Sequence, residues 1–248
     1  MTNEPLRETD GLICAYELDG AGGGHPLDWK SLDTPSDNAK PRWIHVNFEN
    51  ATARKWILNS SGIDSSIAEA LLDDDSRPRA VQHDNGLLVI LRGINLNEGA
   101  EPEDMVSIRL WVQPGRVVSV RRRRLLAAQD VQAELERGHG PRDVPEVVIH
   151  LVERLAARIA EYVDDIEERV IAFEAEISSG KPISLAARLS EIRRETSSVR
   201  RYLAPQRDAL DTLSRHSAGL LSEEQNFALR EQSDRITRNV EDLDLVRE

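Results

Sequence analysis

One stretch, residues 143–178 (DVPEVVIHLVERLAARIAEYVDDIEERVIAFEAEIS), constrains the fold of this chain more than any other. Its apolar positions are spaced four, three and four residues apart, so that Val144, Leu155, Ile166 and Ile177 recur every eleven residues. Eleven residues in three turns is the period of a nearly straight α-helix. The stretch therefore predicts a helix about 50 Å long, at 1.5 Å per residue. An apolar stripe of that length needs cover from other parts of the chain.

Two more long helices are predicted after this stretch. A turn at residues 180–182 (GKP) precedes Ser184, which is a natural N-cap for the second helix. Pro205 lies inside that helix and has no N–H to donate, so we expect a kink or a break there. Gly219 is expected to end the second helix and Ser222 to begin the third, with a Gln three residues later in its first turn. The last three elements of the chain are thus predicted to be helical.

The first 140 residues instead alternate short apolar runs with turn signals. Asp84–Asn85–Gly86 and Pro114–Gly115 predict two β-hairpins. Short helices are expected after the candidate caps Thr52 and Asp64, and a longer one from Leu125 to Glu136. The run at 43–48 alternates apolar and polar residues, which predicts a half-buried strand. The predicted strands are residues 12–18, 43–48, 80–83, 86–91, 105–112 and 116–121.

These elements predict an α+β fold with two domains. Residues 1–140 are expected to form an N-terminal α/β/α domain with a mainly antiparallel sheet. Residues 141–248 are expected to form a domain of long stalk helices packed beside it. At 248 residues the chain is long enough for one large domain or two.

Composition narrows the classes of function. The formal net charge is −12, which disfavours wholesale phosphate binding and favours attraction of cations. A single cysteine, Cys14, rules out an internal disulfide and fits a reducing compartment. The first residues are polar and acidic, unlike a signal peptide, and no apolar run reaches the length of a membrane span.

Four segments in the same order resemble the cytoplasmic part of ZntB proteins, the zinc-transporting branch of the CorA family of divalent-metal transporters. They are SRPRA (76–80), LVILRGINLN (88–97), VVSVRRRRLLAAQDV (117–131) and RRYLAPQRDAL (200–210). In that family an α/β/α domain leads into long stalk helices, and five subunits form a funnel. The resemblance therefore implies a homopentamer at the cytoplasmic face of the bacterial inner membrane.

The family's two transmembrane helices and the Gly-x-Asn signature between them do not occur in this sequence. In the family, the last stalk helix continues into the first transmembrane helix. The resemblance implies that such helices would attach the domain to its membrane, so we interpret the chain as a truncated, soluble part of the transporter. On this interpretation the chain itself conducts no ion.

Candidate metal ligands lie on one face of the long helix. Glu146, His150 and Glu153 are spaced by four and three residues, which places them together roughly opposite the apolar stripe, and Asp164 and Glu168 extend the acidic face. Carboxylates and imidazole suit divalent cations. The competing interpretation is a solvated helix face. No cofactor is expected, only a transported or weakly bound divalent cation, with Zn²⁺ implied by the resemblance.

Other charged segments have structural explanations. Asp73–Asp75 could hold a hard cation or mark the end of a helix. The run Arg121–Arg124 could suggest nucleic acid, but it has no interleaved aromatic residues, so ion pairing is the preferred interpretation. No phosphate-binding loop and no catalytic constellation is found in the sequence, so an enzyme is not expected.

Two functional hypotheses follow. The first is the cytoplasmic funnel domain of a CorA-family divalent-cation transporter, with zinc as the cation, which collects cations and contributes to gating. The second is a free-standing helical scaffold or adaptor that binds a partner helix through its apolar stripes. The first requires two apolar segments of about twenty residues each beyond residue 248 of the reading frame, and the second requires a stop codon.

Overall fold

A computed structural model describes residues 10–32, 40–74, 77–178, 185–216 and 221–247. Seven strands form one sheet in the order β2-β1-β3-β7-β6-β5-β4. Only the β3–β7 pair is parallel among these strands, and every other pair is antiparallel. Helices cover both faces of the sheet. The predicted α+β class, with a mainly antiparallel sheet and long helices, is confirmed.

All strands and the short helices precede the three long helices along the described chain. The strands are β1 (Leu12–Leu18), β2 (Gly24–Pro26), β3 (Arg42–Asn47), β4 (Arg79–His83), β5 (Gly86–Gly93), β6 (Val106–Gln113) and β7 (Arg116–Arg121). The helices are α1 (Trp29–Leu32), α2 (Ala51–Asn59), α3 (Ser65–Leu72), α4 (Leu126–Glu136), α5 (Val144–Ser178), α6 (Leu185–His216) and α7 (Glu223–Arg247).

Both predicted hairpins are present, and their turns explain why. Between β4 and β5, Asp84 adopts a positive φ of 47°, which Asp tolerates better than most residues. Between β6 and β7, Gly115 adopts a φ of 76°, where a side chain would be strained. Each turn therefore sets the register within its own hairpin, β4 with β5 and β6 with β7.

Two local predictions in the first 140 residues were wrong. The cap of α2 is Asn50, whose side chain accepts a hydrogen bond from the backbone N–H of Thr52, so Thr52 lies inside the helix and does not cap it. Strand β3 is buried on both faces and not on one. Its polar His45 is buried because α4 and α5 cover the face that alternation assigned to solvent. The predicted cap Asp64 of α3 is confirmed.

Helix α5 begins with a capped turn that also holds α7. The Asp143 carboxylate accepts the backbone N–H of Glu146 at 2.8 Å, which is the contact of an N-cap. It also accepts the Gln225 side-chain amide at 3.0 Å. Gln225 and Ser222 form a reciprocal capping box at the start of α7 (2.9 and 3.2 Å). Two helix N-termini are thus joined, so α5 and α7 run parallel.

Helix α5 packs on α7, on α4 and on the sheet, whereas α6 packs on α7 and on β4 and β5. The two helices that follow α5 do not cover it equally, because α7 packs along it whereas α6 contacts it little. The close approach of α5 to the sheet depends on Gly93: a Cβ there would lie 2.5 Å from Cδ2 of Leu155. The predicted apolar stripe of α5 is buried from Val144 to Phe173 except at Tyr162 and Val170, which are half-buried, and Ile177 is exposed.

Helix α6 is continuous from Leu185 to His216 and contains Pro205, so of the two predicted outcomes, a kink or a break, the break does not occur. The next residue, Gln206, is buried and accepts the backbone N–H of Arg92 in β5 at 2.6 Å. The Arg92 guanidinium lies 4.5 Å from the centre of the Tyr202 ring. The RRYLAPQRDAL segment therefore docks α6 on the sheet.

Several predicted features fall outside the described residues: the turn at 180–182, the cap Ser184, the helix end at Gly219, and Asp75. The predicted boundary between domains at residue 140 stays a prediction. Strands of the sheet and all of α4 to α7 contribute to one continuous buried apolar cluster.

A buried polar network lies under α4. His45 Nδ1 is 2.8 Å from the Ser119 hydroxyl, which also accepts the Trp43 indole N–H at 2.8 Å. Burial, and secondarily the charge of Arg121, lower the pKa of His45 to about 3. The imidazole is therefore neutral in the folded protein at pH values where it is protonated in the unfolded chain.

This difference predicts an acid-sensitive fold. The contribution of neutral His45 to the free energy of unfolding is complete above pH 6.5. It is lost as the pH falls from 6.5 towards 3, because only the unfolded state takes up the proton. From pH 7 to pH 5 the free energy of unfolding should fall by about 2 kcal/mol more in the wild type than in His45→Gln. Urea unfolding at the two pH values measures this, and equal losses in both proteins would contradict it.

Candidate functional site

The three predicted ligands near the start of α5 line one open cleft. Glu146, His150 and Glu153 share it with the 138–140 loop and the first turn of α7. Its volume is about 540 Å³. Helical spacing therefore predicted correctly that these three side chains lie on one face.

Glu146 is engaged in the cap of α5. Its carboxylate accepts the backbone N–H of Arg142 at 2.7 Å and the Nε–H of the same residue at 3.3 Å. Asp143 accepts the Glu146 N–H, so the two side chains together bind backbone N–H groups on both sides of the cap, although Glu146 bonds Arg142 and not the cap residue itself. A metal ion would have to compete with these contacts for the Glu146 carboxylate.

His150 is held by a residue that the sequence did not single out as a ligand. Its Nδ1 lies 2.8 Å from Oε2 of Glu134 on α4. Arg154, one turn further along α5, donates its Nε–H to the other oxygen of Glu134 at 2.8 Å. Glu134 is therefore shared by two side chains of α5, and this set ties α4 to α5. Nothing in the sequence links residues 134 and 150, because only the fold brings the two helices together.

Asp164 and Glu168 are exposed and lie further along α5. Asp164 is eleven residues beyond Glu153, which corresponds to about 16 Å along a helix axis. The five predicted residues therefore divide between two places on α5 and do not converge on one site. Cation binding by them stays a prediction.

The part of α5 around Asp164 and Glu168 includes two further carboxylates, Glu167 and, from α7, Asp242, which the sequence did not indicate as candidate ligands. The pKa of Glu167 is raised, first by burial, then by the negative charge of Asp242 on α7, and then by Asp164. The negative charge of Asp242 on α7 therefore acts on Glu167 on α5, where the two helices pack together. The spacing of Asp164 and Glu167 by three residues was visible in the sequence. The proximity of Asp242 was not, because it depends on the parallel alignment of the two helices.

The described part of the chain contains no group of three or more His, Cys, Asp or Glu side chains arranged to hold a metal ion. Cys14 is fully buried, and burial, followed by the charge of Glu136, raises the pKa of its thiol. Such a thiol is a packed residue and a poor nucleophile. Among the described helices, none combines the length and apolar character that crossing a bilayer requires.

Two bacterial transport proteins are similar to nearly the whole of this chain. The divalent cation transporter CmaX of Pseudomonas aeruginosa is 36% identical over 96% of this chain and 73% of its own length. The zinc transport protein ZntB of Pectobacterium carotovorum is 31% identical over 94% of this chain and 70% of its own length.

Solved structures of similar proteins match the fold of this chain. The full-length CmaX structure matches 98% of this chain and 75% of its own, with a TM-score of 0.90 and 35% identity. The ZntB cytoplasmic domain from Vibrio parahaemolyticus matches 96% of this chain and 92% of its own, with a TM-score of 0.84 and 24% identity, which supports the fold. The family model described as CorA-like Mg2+ transporter protein matches residues 38–248. This chain therefore belongs to the CorA-like transporter family and has the fold of its cytoplasmic domains.

Proposed function

We propose that this chain is the cytoplasmic domain of a divalent-cation transporter that carries zinc, and that it collects cations and contributes to gating. The observation that carries the proposal is the similarity to CmaX and to ZntB, which extends over at least 94% of the chain in both cases. Both relatives are named as transporters of divalent cations or zinc. Under this proposal the domain lies at the cytoplasmic face of the bacterial inner membrane.

The charges of the domain support cation collection. The chain carries a formal charge of −12, and a homopentamer would carry five times that, −60. A field of this sign raises the local concentration of divalent cations. Burial, then the charge of Asp242 on α7, and then that of Asp164 raise the pKa of Glu167, so negative charge accumulates beside this carboxylate. A nearby divalent cation would offset that charge without needing a closed coordination shell.

Assembly is supported by apolar side chains that the single chain leaves in solvent. Phe227 and Leu245 on α7 are 64% and 71% exposed, and Ile171 on α5 is 65% exposed. Large apolar residues on long helices are suited to contacts between subunits. We propose that the same helices form the homopentameric funnel and that movement between subunits contributes to gating.

Zinc binding should be weak, multiple and sensitive to salt, because it rests on a diffuse field and not on a closed site. Titration calorimetry with Zn²⁺ at two ionic strengths measures this. Asp242→Asn removes a charge from the α5–α7 cluster and should lower the apparent affinity by about twofold to fivefold at low salt. The matched control Asp234→Asn removes the same charge from an exposed position on α7 and should have less effect. A single tight, salt-independent site would contradict the proposal.

Assembly should depend on the exposed face of α7. The wild-type chain should show a mass above the 27.8 kDa of one chain as concentration rises, and Leu245→Ser should shift it towards the monomer. Leu58→Ser on α2, where the side chain is 44% exposed, serves as the control and should leave the mass distribution unchanged. Light scattering after size-exclusion chromatography measures both. A wild type that is monomeric at every concentration, or equal shifts in the two variants, would count against assembly through α7.

A further inference from the structure

An arginine-lined cleft opens at one end of the sheet, away from the carboxylates of α5. It lies where β5 and β7 end and β6 begins, beside Tyr202 of α6, and has a volume of about 290 Å³. Two aspartates, Asp74 and Asp104, also line it. The arginines that line it are Arg92, Arg109, Arg122 and Arg123. Four guanidinium groups against two carboxylates give the cleft a positive balance within a chain of net charge −12.

Arg109 forms the floor of this cleft. It is 1% exposed, and its guanidinium lies 4.9 Å from the centre of the Phe48 ring and donates to the backbone carbonyl of Asp73. Burial, and then the charge of Arg92, lower its pKa to about 10. The group is still charged at neutral pH. A charged, desolvated guanidinium in a fixed position is stabilised by an anion placed against it.

Arg92 is fixed in the wall of the cleft by three contacts. Its Nη1 donates to the Met105 carbonyl at 2.8 Å, its guanidinium lies over the Tyr202 ring, and its backbone N–H is bound by Gln206. Little side-chain freedom remains to be lost when a ligand binds. The docking segment of α6 therefore also orients an arginine of the cleft.

The mouth of the cleft has one engaged and one exposed arginine. Arg122 donates to the Glu49 carboxylate at 2.7 Å and lies 3.5 Å from the Asp74 carboxylate. The ion pairing predicted for the run Arg121–Arg124 is therefore confirmed for Arg122. Arg123 is exposed and forms no ion pair within the described ranges. Arg124 points elsewhere, with its Nε–H donated to Gln129 at 2.9 Å.

We propose that this cleft binds a small phosphate-bearing anion of the size of pyrophosphate. Guanidinium groups match phosphate oxygens with two parallel hydrogen bonds, and those from fixed, partly buried arginines are the strongest of this kind. The cleft is at the small end of the range for ligand sites, which suits a diphosphate group better than a whole nucleotide. Four arginines are too few to bind a nucleic acid against the repulsion of the rest of the chain.

Calorimetric titration with sodium pyrophosphate, at low ionic strength and without metal ions, tests the proposal. The wild type should bind one anion per chain. Arg123→Gln should weaken binding by about tenfold, the effect expected for one charge-assisted hydrogen-bonded pair. The matched control Arg124→Gln makes the same change one residue away, outside the cleft, and should stay within about twofold of the wild type.

A second variant and a second probe sharpen the result. Tyr202→Leu removes the ring beneath Arg92 and should also weaken binding, with circular dichroism to confirm that the helices are retained. Phosphatidylglycerol vesicles present the same phosphate chemistry on a surface. Vesicle binding that pyrophosphate displaces and that Arg123→Gln abolishes assigns the site to a lipid headgroup. Binding of pyrophosphate without binding of vesicles assigns it to a free anion. No binding of either probe, or equal weakening by Arg123→Gln and Arg124→Gln, overturns the proposal.

Discussion

The hydrogen bond between the Gln225 amide and the Asp143 carboxylate joins two helix caps and places the start of α7 beside the start of α5. Each partner also closes the first turn of its own helix. The N-termini of α5 and α7 are therefore held side by side, and two helices that begin together and pack along their lengths run parallel. Helix α6 packs between α7 and the edge strand β4, and it runs antiparallel to α7, since Arg200 pairs with Asp244 and Asp211 with Ser233. Apolar packing along their lengths then holds the 35 residues of α5 and the 25 residues of α7 in this parallel arrangement.

The sheet limits where this layer can sit. Gly93 leaves room for Leu155 at the point where α5 crosses β5, and Gln206 binds the backbone N–H of Arg92 where α6 meets the same strand. Neither contact depends on bulk hydrophobicity alone. The segments that suggested the family from sequence, LVILRGINLN and RRYLAPQRDAL, contain these residues. These two segments therefore contain residues of the contacts that dock the helices on the sheet.

Features encoded by neighbouring residues could be predicted from the sequence, and contacts between distant residues could not. The eleven-residue period of α5, the Asn-Gly and Pro-Gly turns and the Ser222–Gln225 cap are all local, and the structure contains them. Periodicity gives the width of an apolar face but does not identify what covers it, so the small share of α6 in covering α5 and the burial of His45 were missed. The face holding Glu146, His150 and Glu153 was predicted, whereas the contact of His150 with Glu134 needed the fold.

Parallel alignment of α5 and α7 brings Glu167 and Asp164 near Asp242, and these like charges support the proposed attraction of divalent cations. Titration of the Glu167 carboxyl carbon by NMR tests this most directly. Its pKa should lie above the ordinary value for glutamate and should fall towards it in Asp242→Asn and on addition of a divalent cation. Asp234→Asn, about 12 Å from Asp242 towards the N-terminus of α7, should leave the pKa of Glu167 unchanged. A Glu167 pKa that Asp242→Asn does not move would contradict both the alignment and the electrostatic role assigned to it.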